Sequence, residues 1–356
     1  MLVYTTVSLS VIAFGLYYEL INSLTNINKK RIPSYFFTIP TFTLLFIISA
    51  FRGNFTSDYD TYAELFKTYN QYSFSQILQY EFNQEIGYVL FNRIIGIFTD
   101  NELFLFIITS LFILIVFYSQ IKRYSYYIWL SVMLFVTIGS YYTSFNIMRH
   151  ILAAAIIFAG SKFLYERKAF KYFLVVIIAS LFHTTALIMI PFYYILNFKI
   201  RLRNLIFLFT GAFIVMFFLN DIVNFFQNTF YTQYHDESYG MTGLHYSGAV
   251  VPIAILLFSL YHHRKIDSGD TKQRIWMNAV IFYAFFHVLG LQVELVERLS
   301  EFFAPYVLLL IPLIFYKMKG KELKLIYMIG LIFLLFTYHY IAFSGSGYDP
   351  YYFIWD

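Results

Sequence analysis

In the stretch FRGNFTSDYDTY (51–62), Arg52, Asp58 and Asp60 stand within nine positions, directly after the mostly apolar run Tyr35–Ala50. Similar groups border or interrupt other apolar runs. They are Glu81 and Glu85, Arg149 with His150, His183, and Glu294, Glu297 and Arg298 in LQVELVERLSEFF (291–303). Charges placed at membrane depth are expensive and are retained chiefly for function. Guanidinium groups hold phosphate oxygens bidentately. A nearby carboxylate or histidine can take a proton from a hydroxyl nucleophile. A pyrophosphate leaving group needs positive charge, from arginine or a metal. The residue types therefore point to the handling of an anionic, phosphorylated ligand.

Each residue also has a structural reading. Arg52 could snorkel to headgroups, and Asp58 could cap a helix or stand in a turn. Asp60 could pair with an arginine, and Glu297–Arg298 could be a neutralising pair. His183 could be a hydrogen-bonded structural group, as could His150, His235, His245 and His287. Asp58 and Asp60 form half of a D-x-D metal motif. A divalent ion prefers more oxygen ligands, so no metal is expected. The chain has no cysteine, which excludes disulfides, thiolate metal sites and a cysteine nucleophile. Phosphate-loop, metal-helix and serine-elbow motifs are also missing from the sequence.

The elements that must position these groups are hydrophobic helices. The chain is 60% hydrophobic and 13% charged, with a mean hydropathy of +0.64. Soluble domains carry about a quarter charged residues, so the expectation is an all-α, polytopic integral membrane bundle. Its abundant Phe and Tyr suit lipid-facing bulk and interfacial belts. Basic clusters recur at Lys29–Arg31, Lys122–Arg123, Arg167–Lys171, Lys199–Arg203, Arg264–Arg274 and Lys317–Lys324. The positive-inside rule makes these loops cytoplasmic.

About ten crossings satisfy that rule with both termini outside, beginning with a retained first helix, Leu2–Ile21. Ile86–Phe98 is expected to lie as an interfacial helix on the outer face. Phe170–Phe198 is flanked by basic residues at both ends, so it is expected to be a re-entrant pair of half-helices meeting near His183. The result is one transmembrane domain over 1–356 with outer loops 51–85 and 220–248. The polar residues above then gather at the outer face.

The stretches FRGNFTSDYDTYAELF (51–66), EIGYVLFNRIIG (85–96), FNIMRHILAAAIIFAG (145–160), KYFLVVIIASLFHTTALIMIPFYYIL (171–196) and ERLSEFFAPYVLLLIP (297–312) resemble, in this order, the EpsG-like branch of the Wzy-type polysaccharide polymerases. The family usually has Arg-Gln where this chain has Arg149-His150. The resemblance implies a GT-C-like, inverting glycosyltransferase without metal or cofactor. Such an enzyme joins undecaprenyl-pyrophosphate-linked oligosaccharide repeats into O-antigen, capsule or exopolysaccharide on the outer face of the bacterial inner membrane.

Its partners would be the lipid-linked donor and acceptor and membrane lipids, with a chain-length-regulating protein as a further candidate and no nucleic acid. On this resemblance Arg52, Arg149 and Arg298 are expected to bind pyrophosphate. Asp60, His183 or Glu85 is expected to activate the acceptor hydroxyl, and Tyr231, Tyr234, Tyr239 and Glu297 to contact sugars. The alternatives are a lipid-linked glycan flippase, a membrane O-acyltransferase using His183 as base, and a ligase with the same chemistry.

Overall fold

The structure is a computed structural model. It describes residues 2–25, 33–80, 82–199, 202–218, 221, 247–262, 269–343 and 350–356. It is 79% helical. Among the described residues the extended pairing is an isolated antiparallel bridge between Arg52 and Phe353.

In chain order the α-helices are α1 (Leu2–Thr25), α2 (Tyr35–Ala50), α3 (Tyr59–Asn70), α4 (Phe74–Ile77), α5 (Ile86–Ile95), α6 (Leu103–Tyr124), α7 (Ile128–Thr137), α8 (Ser140–Asn146), α9 (Met148–Ala159) and α10 (Ser161–Tyr165). There follow α11 (Ala169–Ser180), a 3-10 turn (Thr184–Ile188), α12 (Met189–Ile195), α13 (Leu202–Met216), α14 (Ser247–Tyr261), α15 (Thr271–Gly290), α16 (Glu294–Glu297), a second 3-10 turn (Arg298–Phe302), α17 (Ala304–Lys317) and α18 (Lys321–Phe343).

Hydrophobicity on every side sends a helix to the middle of a bundle. In α7, Trp129–Thr137 are all buried, as are Ala304–Phe315 of α17. The outer helices instead present bulky apolar side chains such as Phe207, Ile326 and Phe333 to the surroundings. That inversion of a soluble surface suits a lipid solvent.

Among the described residues, three segments are each long and apolar enough to cross a membrane alone: Val3–Asn22, Leu103–Tyr124 and Lys321–Ala342. Two bent pairs raise the number to five: α7 with α8, and Leu295–Phe302 with α17. Further apolar helices are shorter. Length alone therefore supports fewer than the ten expected crossings, partly because expected spans are broken. Tyr126–Tyr142 is interrupted at Gly139, whose φ of 101° no ordinary side chain adopts readily. The axis bends there by 45°. A second bend, of 51°, separates the 3-10 turn from α17.

Contacts nevertheless sort the loops onto two ends. At one end Tyr124 meets Tyr165, Lys317 donates to Gln273, Lys324 donates to Tyr127, and Asn278 donates to the carbonyls of Leu196 and Phe198. This is the basic end. At the other end Arg52 reaches Phe145, Arg149 reaches Glu85, His150 touches Phe302, and His287 meets Glu297.

The 170–198 region folds as a hairpin. Tyr172 and Phe173 in the first turn of α11 pack on Tyr193 near the end of α12, with centroids 5.5 and 5.4 Å apart. Both ends thus return together, and the tip carries His183, in extended conformation between the two halves.

Candidate active site

Glu85 is where four segments meet. It precedes α5 in the sequence Glu85-Ile86-Gly87-Tyr88. A Cβ at Gly87 would lie 2.6 Å from the Leu181 carbonyl oxygen, so only glycine lets α5 come this close to the hairpin tip. Tyr88 then donates its backbone N–H to that carbonyl at 3.1 Å. This seating places the Glu85 carboxylate directly on the turn after α11.

Glu85 Oε1 accepts from the Thr184 amide at 2.9 Å and the Thr184 hydroxyl at 3.2 Å, and His183 Nδ1 lies 3.2 Å away. Its other oxygen, Oε2, accepts from Arg149 Nη1 at 2.6 Å. Both side chains of the ion pair are 15% exposed. Burial alone would raise the Glu85 pKa. The His183 contact, the Arg149 charge and the Thr184 amide reverse that and hold it down at about 2. A carboxylate so strongly stabilised is a weak proton acceptor.

Arg149 opens α9, with its guanidinium carbon 5.7 Å from the Tyr88 ring centroid. The next residue is His150. It is buried, with Nδ1 3.4 Å from Thr185 Oγ1 and its ring 4.9 Å from His183 and 4.5 Å from Phe302. Its neighbour across the site is Arg298. The Glu85–Arg149–His183 group is therefore continuous with the turn that carries Glu297, Arg298 and Glu301.

On that side His287 Nδ1 lies 2.9 Å from Glu297 Oε1. Glu301 Oε2 accepts from Ser140 Oγ at 2.8 Å. Ser140 and Glu301 each sit at a helix break, one between α7 and α8 and the other before α17. Sequence reasoning singled out Glu294, Glu297 and Arg298 but missed Glu301. The signal was its spacing, four residues after Glu297 and hence on the same helical face.

Two expected site residues fall elsewhere. Arg52 is 1% exposed. Its Nη1 donates to the Ser49 carbonyl at 2.5 Å and Nη2 to the Phe145 carbonyl at 3.5 Å, while Phe106 and Phe145 flank the guanidinium. Enclosed on all sides, Arg52 clamps α2 to α6 and α8 and stands apart from the Glu85–Arg149–His183 group. Asp60 lies on the exposed face of α3 and accepts from Asn54 Nδ2 at 2.7 Å to each oxygen. Its helix turns Tyr62, Phe66 and Tyr69 inward instead. A step of two residues turns a helix by roughly 200°, which points Asp60 away.

Asp58 precedes α3, its amide bonded to Asn146 Oδ1 at 3.2 Å. Glu81, Tyr231, Tyr234, Tyr239, His235 and His245 lie outside the described residues. No group of His, Asp and Glu that could hold a metal occurs among the described residues.

A multi-helical membrane protein with an acid–arginine–histidine constellation at the end opposite its basic loops is the class that fold and site define. The chain belongs to the EpsG family, whose sequence model matches residues 34–353. EpsG-like proteins are relatives of the Wzy-type polymerases, which places this chain among membrane proteins of polysaccharide biosynthesis with a transferase function. None of the curated proteins and none of the solved structures compared with it matched.

Proposed function

We propose that the chain is an inverting, GT-C-like polymerase of undecaprenyl-pyrophosphate-linked oligosaccharides, acting at the outer face of the bacterial inner membrane. The observation that carries this reading is the Glu85–Arg149–His183 constellation at the end remote from the basic loops.

In the proposed reaction the acceptor sugar hydroxyl attacks the anomeric carbon of the donor glycan from the face opposite its pyrophosphate. The new C–O bond forms as the bond to the pyrophosphate oxygen breaks, and the leaving group takes that electron pair. Glu85 holds the Nδ1 side of His183, so Nε2 is the nitrogen that takes the hydroxyl proton. The carboxylate also stabilises the imidazolium that results. Glu85 is thus a positioning residue rather than the base.

Arg149, together with Arg298, supplies positive charge toward the charge growing on the pyrophosphate. Glu297, with His287, stands beside them as a contact for sugar hydroxyls. A flippase would need polar groups along a path through the whole bilayer, whereas these groups cluster at one end.

The test is reconstitution of the purified protein with a synthetic undecaprenyl-pyrophosphate-linked repeat unit and no nucleotide sugar. Oligomers should form, with one undecaprenyl pyrophosphate released per linkage. A protein that folds and binds the substrate but only moves it between leaflets, or transfers an acyl group, would overturn the reading.

A further inference from the structure

At the basic end the loop after α6 and the start of α15 line a half-open cavity of about 220 Å³. Arg123, Tyr124, Asp270, Lys272, Gln273 and Trp276 are among its walls. Two cations converge on one ring there: Arg123 Cζ lies 5.5 Å and Lys272 Nζ 5.6 Å from the Tyr124 centroid. Among the described residues, neither forms a salt bridge with a carboxylate.

The acids nearest to them are already engaged. Asp270 caps α15, accepting from the Lys272 amide at 2.9 Å and from Gln273 Nε2 at 3.3 Å. Glu166, which faces Arg123, is paired with Lys168 at 2.7 Å and Lys162 at 3.7 Å. Arg123, Lys272, Lys162 and Lys168 outnumber Asp270 and Glu166 here, so the exposed group keeps a positive balance that an anion can complete. Tyr124 and buried Trp276 supply an apolar wall beside the cations, and Tyr126, also in the wall, is exposed. Basic pockets between membrane helices on the cytoplasmic side bind anionic headgroups on these grounds.

We propose that this cavity is a binding site for the phosphate headgroup of an anionic phospholipid in the leaflet at the basic end. Arg123 and Lys272 hold the phosphate, and Tyr124 and Trp276 line the glycerol and first acyl carbons. The site is separate from the Glu85–Arg149–His183 group at the other end and does not depend on the reaction assigned to it.

The test is native mass spectrometry of the full chain titrated with phosphatidylglycerol and, in parallel, with phosphatidylcholine. The wild type should prefer the anionic lipid by about 10- to 30-fold, as expected for two cations near the surface. The variant Arg123→Gln/Lys272→Gln should lose that preference. Lys122→Gln/Lys171→Gln removes the same charge outside the cavity and should keep it. Arg123→Lys/Lys272→Arg, which retains both charges, should also keep it and separates loss of the site from loss of the fold. Equal retention of the two lipids by the wild type would overturn the proposal, as would an unchanged preference in the double glutamine variant. Displacement of phosphatidylglycerol by equimolar glycerol phosphate would also overturn it, because the site would then serve a soluble phosphate.

Discussion

Arg149 Nη1 and Glu85 Oε2 are 2.6 Å apart, although 64 positions separate the two residues in the chain. The pair joins the start of α9 to the start of α5, and the free side of the same carboxylate grips the tip of the α11–α12 hairpin. One carboxylate thus ties α5, α9 and the hairpin tip together. Removing a single partner leaves a poorly solvated charge, which typically costs about 3–5 kcal/mol when buried. Glu85→Gln and Arg149→Gln should each lower thermal stability in detergent, and the double variant should be milder than their sum. A double-mutant cycle on melting temperatures measures the coupling, expected at about 1–3 kcal/mol. Strictly additive effects would show that the pair does not couple α5 to α9.

The same carboxylate gives a signed pH dependence. Its folded pKa of about 2 lies below its ordinary value of 4.5. The stabilisation it supplies is therefore fully present above pH 4.5 and is lost as pH falls through about 2. Over that window the wild type should forfeit about 3 kcal/mol relative to Glu85→Gln. Melting curves of both proteins between pH 2 and pH 6 should converge toward the acid end. A constant gap would remove Glu85 from the linkage.

If His183 accepts the hydroxyl proton, His183→Gln should reduce turnover by about 10²- to 10⁴-fold and leave the affinity for lipid-linked substrate near the wild-type value. Glu85→Gln should lower turnover less and shift its pH profile, because the imidazole then lacks the carboxylate that orients it. The measurement is kcat and KM for each variant across pH in the reconstituted assay. An intact kcat in His183→Gln would return the proton to another group.

Much of this was legible in the sequence because it follows from charge and hydropathy. Basic residues on both sides of Phe170–Phe198 required the chain to return to the end it left, and the hairpin does so at His183. Arg149, near the outer end of an apolar helix, was marked as a candidate, and it meets Glu85 at 2.6 Å. The role of Arg52 was not legible, because it depends on a contact across the whole chain. The segment 350–356 folds back so that Gly53 donates to the Tyr352 carbonyl at 2.7 Å and Ile354 to that of Phe51 at 3.1 Å, which no local pattern announces. Glu301 was hidden for a related reason: its partner Ser140 is exposed to it only by the kink at Gly139, and periodicity does not foresee where two helix breaks will meet.

That folded-back segment makes Gly53 a sensitive position. A Cβ there would lie 2.9 Å from the Phe353 carbonyl oxygen. Backbone cannot yield as a flexible side chain does, so Gly53→Ala should peel residues 350–356 from the loop after α2. Arg52 would lose the cover of that segment, and the melting temperature should drop by an amount equivalent to about 1–3 kcal/mol. Limited proteolysis of the C-terminal segment provides an independent readout, since cleavage should accelerate in the variant. Unchanged proteolysis with unchanged melting would mean that the segment is held by its aromatic contacts alone.

The hydrogen bond between Ser140 and Glu301 ties together the two bent helix pairs that flank the site, and it yields the last prediction. Ser140 is 2% exposed, so water cannot easily replace it if the hydroxyl is removed. Ser140→Ala leaves a carboxyl oxygen without this donor, which should cost about 1–3 kcal/mol. Glu301→Gln should be tolerated better than Glu301→Leu, because the amide oxygen can still accept from Ser140 while leucine strands the hydroxyl. If the link only packs the fold, all three variants should lose activity in proportion to the fraction unfolded. If it positions the α8 and α17 breaks around the substrate, Glu301→Leu should raise KM for the lipid-linked acceptor even in the folded fraction purified by size exclusion. Kinetics on that fraction distinguish the two, and an unchanged KM would confine Glu301 to packing.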